Sequence, residues 1–389
     1  MGAADMRIII APDKFKGSLS AVDAAEAIGR GVTRARPDAD VVLLPVADGG
    51  EGTVAAAVAA GYTRHVVTVD GPTGEPVEAT FAVRGEAAVI EMAEASGLRI
   101  LPGHRPAPRS ATTYGTGQLV IAALDAGARH IVLGIGGSAS TDGGAGLAQA
   151  LGVRLLDRDG AELARGGAAL ADLDRIDASG LDPRVRAAEF TVASDVDNPL
   201  VGPQGAAAIY GPQKGAFPDD VAALDAALGR YAEVLRRDVG IAVADVPGAG
   251  AAGGLGAGAL AFLGAELTSG IGLLLDVVGF SSAVQGASLV ITGDGSFDEQ
   301  TLSGKAPVGV ARAAATAGVP VVALVGRLAV TPEQLAKVGI SAARAVLDLE
   351  PDLERAQRDA ASLLTHLAEQ IVAEQPSGDR ACDASPTPS

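Results

Sequence analysis

The sequence predicts an α/β protein of two domains: a discontinuous, flavodoxin-like doubly wound parallel sheet carrying an inserted mixed α/β domain. Three observations predict it. Both ends of the chain repeat one grammar, in which a short apolar run meets a polar or glycine-rich loop and then a helix, as βαβ units do. Between them, Val66 to Glu94 alternates in polarity and turns at Gly71-Pro72 and Gly85-Glu86, the pattern of antiparallel hairpins. Finally, 48% of the 389 residues are apolar but only 3% aromatic, so Val, Ile, Leu and Ala must fill the core, which suits helices on parallel strands. At roughly 100–200 residues per domain the length fits two. The expected bounds are 1–64 with 286–375 for the first domain, 65–285 for the insert, and 376–389 as a polar, disordered tail.

The elements follow in order. Arg7-Ile8-Ile9-Ile10-Ala11-Pro12 is a buried strand. Ser18 or Ser20 caps a helix running to about Arg36, closed by Pro37. Val41 to Val46 is a second strand, leading into Ala47-Asp48-Gly49-Gly50-Glu51-Gly52 and a helix to about Ala60. After the hairpins come a helix over 115–127, strand His130 to Ile135, a hairpin around Asp157–Gly160 and strand Phe190 to Ala193. The stretch 248–280 is apolar but contains Glu266, Asp276 and many glycines, so it reads as buried helices and turns and not as a membrane span. Strands at Ser288 to Thr292, Val319 to Val325 and Ala342 to Leu347 follow, with a helix over 304–317. Helix 351–375 places Leu353, Leu363, Leu364, Leu367 and Ile371 near helical spacing, for packing on the sheet. Five strands split two and three can form one sheet in the order 2-1-3-4-5.

A formal charge of −17 and a pI near 4.6 make nucleic acid and anionic membranes poor partners, so an anionic substrate needs a local cationic site. The single cysteine, Cys382, excludes internal disulfides and cysteine-rich metal sites and fits a reducing cytoplasm. The first residues lack the basic start and apolar run of a signal peptide, which also points to a cytoplasmic location. The four histidines are scattered without triad partners.

Five lysines stand against 25 arginines. Lys14, Lys16, Lys214 and Lys305 lie in glycine-rich, loop-like segments, whereas Lys337 falls on a surface helix. A compact ammonium on a thin stem suits contact with a phosphate in a narrow site, so these four point to anion handling. The segment Gly134 to Gly146 carries six glycines with Ser138, Ser140 and Thr141 between a strand and a helix. Gly136, Gly137 and Ser138 there can offer backbone donors to an anion. The spacing matches neither the Walker pattern nor the dinucleotide fingerprint, which disfavours a dinucleotide oxidoreductase. Aspartates recur where strands end: Asp13, Asp48, Asp142, Asp195 with Asp197, and Asp294 with Asp298. Ligands of open α/β sheets bind outside those ends. Phosphoryl transfer uses Mg²⁺ on one or two carboxylates, with an aspartate to accept the hydroxyl proton; the same aspartates can also cap helices. Asp195 and Asp197 are the best pair, since alternate residues of an extended segment point the same way.

Taken together, Ala11 to Leu19, Pro45 to Thr53, Thr112 to Gly117, Gly134 to Gly146, Asp195 to Leu200, Gly211 to Ala216 and Thr292 to Pro307 resemble the glycerate kinase type 1 family of bacteria, over about residues 6–375. The resemblance implies ATP-dependent phosphorylation of D-glycerate with Mg²⁺, on a two-domain α/β fold with the ligand cleft between domains, and it leans to the 2-hydroxyl. Two segments depart from many members: Ser140-Thr141 stands where they read Thr-Asn, and Gly293-Asp294-Gly295-Ser296-Phe297-Asp298 where they read Gly-Glu-Gly-Arg-Ile-Asp. The expected roles are Asp195, Lys16 and Lys214 in catalysis, Asp48, Lys14 and Ser18 on the substrate, Gly136, Gly137, Ser138 and Lys305 on ATP, and Asp197 and Asp294 on the metal. A kinase of another small hydroxy acid or polyol, or a non-catalytic nucleotide-binding sensor, are the alternatives; glycerate-dependent ATP turnover separates them.

Overall fold

Thirteen strands occur among the described residues: β1 (Arg7–Pro12), β2 (Asp40–Leu43), β3 (Thr63–Asp70), β4 (Pro76–Arg84), β5 (Ala87–Glu91), β6 (His130–Gly134), β7 (Arg154–Leu156), β8 (Arg175–Asp177), β9 (Glu189–Ala193), β10 (Glu266–Thr268), β11 (Leu289–Phe297), β12 (Val321–Leu328) and β13 (Ile340–Ala345). The structure is a computed structural model describing residues 6–302 and 304–374. The expected tail 376–389, with Cys382, lies outside the described residues. The chain divides into a unit that runs to Ala47 and resumes at Leu274, and a second unit, Asp48–Leu273. Helix Thr53–Ala59 therefore falls in the second unit, where the sequence reading placed it in the first. It packs on β4 and β5, and those contacts outweigh its position in the βαβα run.

In the first unit the strands lie in the order β13-β12-β11-β1-β2 and every pair is parallel. Numbered within the unit this is 2-1-3-4-5, the expected doubly wound order. Ile8, Ile9 and Ile10 are fully buried, as a central strand covered on both faces requires. Helix Ala21–Ala35 starts at Ser20, whose side chain accepts from the Asp23 N–H. It crosses helix Ala360–Ala373 closely: a Cβ on Gly31 would stand 2.1 Å from the Thr365 carbonyl oxygen. Thr365 Oγ1 donates to the Ala27 carbonyl across the same crossing at 2.8 Å. The expected helix 351–375 is two helices, Leu353–Arg358 and Ala360–Ala373, with Asp359 between them.

The second unit holds a sheet in the order β10-β9-β6-β5-β4-β3. β3, β4 and β5 form the expected antiparallel meander, and β5, β6, β9 and β10 run parallel. The turn at Asp157–Gly160 forms, but Leu156 meets Glu162 only in an isolated bridge, and the ladder partner of β7 is β8. The aliphatic core runs from Val69, Phe81 and Ile90 through Leu119 and Leu133 to Val192 and Leu255. Residues 248–280 resolve into short helices and β10, and no helix among the described residues is long and apolar enough to cross a membrane. What matters for function is one register: Gly134 at the end of β6 pairs with Ala193 at the end of β9. The glycine loop and the Asp195 loop thus leave the sheet side by side.

Candidate active site

A cleft of about 390 Å³ opens in the second unit at these strand ends. Its walls are Asp48, Gly49 and Gly50, the turn Ile135–Ser138 and the segment Ala193–Val196, closed by Leu98, Tyr210, Gln213 and Ala251–Ala252. Size and position suit a small ligand at the carboxyl ends of parallel strands. Five residues singled out from sequence meet here: Asp48, Gly136, Gly137, Ser138 and Asp195.

The Asp48 loop is held by a group the sequence reading missed. Glu91, at the end of β5 and 3% exposed, accepts from the N–H groups of Gly52 (3.1 Å) and Val54 (3.4 Å) at the start of helix Thr53–Ala59. A carboxylate there satisfies otherwise orphaned donors and complements the helix dipole. Asp48 Oδ1 in turn accepts from the Gly50 N–H at 3.2 Å.

The glycine turn fits against this loop with no room for a side chain: a Cβ on Gly136 would stand 2.5 Å from the Gly50 Cα. The Gly136 N–H donates to the Gly49 carbonyl at 3.1 Å, so its amide serves the fold instead of a ligand. Ser138 is placed differently. The Leu98 N–H donates to the Gly137 carbonyl and the Ala139 N–H to the Ser96 carbonyl, both at 2.9 Å. Ser138 is thereby the non-hydrogen-bonded partner of Gly97 in this bridge, and its own N–H points away from the pairing.

Asp195 is clamped by Ser269 and Gly270. The Gly270 N–H donates to Oδ1 at 2.9 Å, and the Ser269 side chain bonds the same carboxylate. Asp195 keeps an exposed surface, yet the walls crowd its carboxyl enough that partial desolvation raises it above the usual aspartate range; those two hydrogen bonds oppose the rise, and the negative charge of Asp48 adds to it. Two carboxylates that repel across a cleft suit a divalent cation, and hard oxygen donors suit Mg²⁺. Among the described residues no group of three or more His, Cys, Asp or Glu could hold a metal alone, so an ion here would need a ligand's oxygens as well.

Asp197 does not join Asp195. β9 ends at Ala193, the period-two alternation stops with it, and Asp195 and Val196 line the cleft whereas Asp197 does not. Lys214 lies in the interior, 1% exposed, and its Nζ donates to the Ser140 carbonyl at 2.5 Å. The turn Pro212–Lys214 rotates successive side chains, so Gln213 reaches the cleft in its place. Burial pushes the Lys214 ammonium down to about 7, against the attraction of Asp142. Asp142, fully buried, is raised by burial although Thr113 and the N–H groups of Gly144 and Gly146 all donate to it.

The remaining candidates lie in the first unit. Lys16 and Ser18 line a crevice of about 400 Å³ with Ser296, Arg327 and the apolar Phe15, Val346 and Leu353. Lys14 lies 3.9 Å from the Asp13 carboxylate. Asp294, near the end of β11, accepts from the adjacent Gly295 N–H at 2.6 Å. Asp298 accepts from the Thr301 N–H at the start of a short helix and is held below the usual range chiefly by that bond, with Lys305 assisting. Lys305 is itself the N-cap residue of helix Ala306–Thr316.

The glycerate kinase family model matches residues 8–375 of the chain. A glycerate kinase of Halalkalibacterium halodurans is 50% identical over 368 residues, 94% of this chain and 97% of the relative. A glycerate kinase of Bacillus subtilis is 50% identical, with 95% of this chain and 97% of the relative covered. A glycerate 2-kinase of Escherichia coli is 46% identical with the same coverage. A crystal structure of a protein from Salmonella typhimurium LT2 superposes with a TM-score of 0.84 at 45% identity, covering 95% of this chain and 98% of that one.

Proposed function

The chain belongs to the glycerate kinase family, and from that premise we propose that the cleft around Asp48 and Asp195 transfers the γ-phosphoryl group of ATP to the 2-hydroxyl of D-glycerate. The enzyme is a phosphotransferase with an alcohol acceptor. The name of the Escherichia coli relative supports the 2-position. The observation that carries the assignment is the meeting of two carboxylates with the glycine turn and Ser138 in one cleft. Asp195 accepts the proton of the attacking hydroxyl; a carboxylate above its ordinary range is a better base. Asp48 accepts from a second substrate hydroxyl, and Gly137 and Ser138 donate to the phosphates. Mg²⁺, held by Asp48 together with phosphate oxygens, would neutralise charge on the transferring group. In the first unit, Lys16 and Ser18 share a crevice with a second cation, Arg327, a charge balance that suits an anionic group. Lys14, Lys305, Asp197 and Asp294 have weaker support, since each already serves a local contact or lies outside the cleft. Most of the rate enhancement comes from positioning and charge stabilisation.

The pH dependence follows from Asp195. Its pKa is raised, so the base is lost as pH falls through a value above the ordinary aspartate range, and the acidic limb of kcat/KM lies there. Asp48→Asn removes a repelling charge and moves that limb to lower pH; a kcat/KM profile of both proteins checks it. Closer packing gives a second test. Gly136→Ala forces the turn away from Gly50 and lowers kcat by about 10-fold or more, because small misplacements near the reacting atoms are costly; steady-state kinetics of the purified variant read it directly.

A further inference from the structure

Below the cleft wall lies a cluster of buried polar groups that take no part in the chemistry just described. Its centre is Asp142. Its Oδ2 accepts from the Thr113 N–H (2.8 Å), Thr113 Oγ1 (2.9 Å), Thr112 Oγ1 (3.3 Å) and the Gly146 N–H (3.2 Å), and its Oδ1 from the Gly144 N–H (3.2 Å). These donors stand at the starts of two helices, Tyr114–Asp125 and Ala145–Ala150. Lys214 supplies the opposite charge. Its Nζ donates to the Ser140 carbonyl, and a Cβ on Gly253 would come within 2.8 Å of that nitrogen and 2.0 Å of the Ser140 oxygen. Only glycine fits there, and its φ of +71° requires glycine as well. The Gly143 N–H closes the cluster on the Gly253 carbonyl at 3.0 Å.

Each strand of this cluster ends at the cleft. Ser138 is two residues from Ser140, Gln213 is next to Lys214, and Ala252 is next to Gly253; all three line the cleft. Ala252 sits at φ 54°, an uncommon conformation for a residue with a side chain, immediately beside the cluster. Three separate wall segments are thus fastened to one buried polar cluster. A charged group taken out of water needs its lone pairs and protons satisfied, and Asp142 meets that requirement by engaging neighbouring helix starts.

We infer that Asp142 and Lys214 are positioning residues for phosphoryl transfer: they fix the Ser138 N–H, Gln213 and Ala252 relative to one another without touching substrate. The inference rests on the proposed use of the cleft. It also gives Lys214 a different task from the direct phosphate contact that its glycine-rich setting suggests.

The experiment measures kcat and both KM values for the full chain, for Thr113→Val and for Lys214→Met, at a temperature where circular dichroism shows each protein folded. Thr113→Val is nearly isosteric and removes one donor to Asp142, together with the acceptor of the Leu147 N–H. A merely structural role lowers the melting temperature and leaves turnover of the folded fraction intact. A positioning role lowers kcat, by about 10-fold in Thr113→Val and about 100-fold in Lys214→Met, with both KM values within about 3-fold. If Lys214→Met does not fold, Thr113→Val decides alone. Unchanged kcat in the folded variants overturns the inference, as does a rise in KM at constant kcat, which would mean that Lys214 or Asp142 contributes to binding instead. Failure of the parent protein to turn over ATP with glycerate overturns the functional reading itself, so the two failures are distinguishable.

Discussion

Asp195→Asn lowers kcat by about 10²–10⁴-fold, the range for losing a positioned general base, while the KM for ATP changes little. Asparagine keeps the shape and can still accept from the Gly270 N–H and the Ser269 side chain that clamp the native carboxylate. What it loses is the ability to take a proton and the negative charge beside Asp48. The loss therefore falls on the transition state, and kcat and kcat/KM for glycerate decline together. The residual activity is pH-independent across the range where the parent shows its acidic limb. Steady-state kinetics over a pH series check both features at once. A variant that kept more than about a third of the parent kcat would remove Asp195 from the role of base.

Lys214→Met carries a large expected cost in stability, about 1–3 kcal/mol, the range for leaving a buried acceptor, here the Ser140 carbonyl, without its donor. Against a total of about 5–15 kcal/mol for a folded protein, that is a large fraction. The sign of the pH dependence follows from the lysine. Its pKa falls from 10.5 in the unfolded chain to about 7 in the folded one, so between those values the unfolded chain binds more protons. This group alone makes stability rise with pH across that window, and it makes no difference to the slope below about 7, where both states are charged. Methionine abolishes that slope. Asp142, raised by burial, acts in the opposite direction just above its ordinary value, where the folded state holds the proton more tightly. Denaturant unfolding at several pH values measures both the loss and the slope. Combined with Asp142→Asn, Lys214→Met should cost less than the sum of the two single changes, by about 0.5–3 kcal/mol, since the two buried charges attract each other within one cluster.

The strand order of the first unit was legible because its signals are local and repeated. Buried runs such as Ile8–Ile10, each followed by a capped helix, admit few topologies. Asp48, Ser138 and Asp195 were legible for a related reason: each sits just past a strand end, and ligands of α/β sheets bind there. What sequence could not give was side-chain direction beyond the last ladder residue. The alternation argument placed Asp197 beside Asp195, but the ladder stops at Ala193 and Val196 takes the inward place. In Gly211-Pro212-Gln213-Lys214-Gly215 the charged residue attracted the assignment, whereas a single helical turn decides that Gln213 faces the cleft and Lys214 the interior. Glu91 and the Ser269-Gly270 clamp act across 39 and 75 residues of sequence, and nothing in either segment marks them as functional. Gly253 had a visible signal, the run Gly253-Gly254 within an apolar stretch, but its meaning depends on an ammonium group 39 positions away.

The cleft's assignment is tested most directly by following D-glycerate, ATP and Mg²⁺ with phosphorus NMR, in parallel for the parent protein and Asp195→Asn. The account predicts that the parent converts ATP to ADP only when glycerate is present and that the new resonance is 2-phosphoglycerate, with Asp195→Asn forming the same product at a rate lower by two orders of magnitude or more. A 3-phosphoglycerate resonance, ADP formation that ignores glycerate, or equal rates in the two proteins would contradict it.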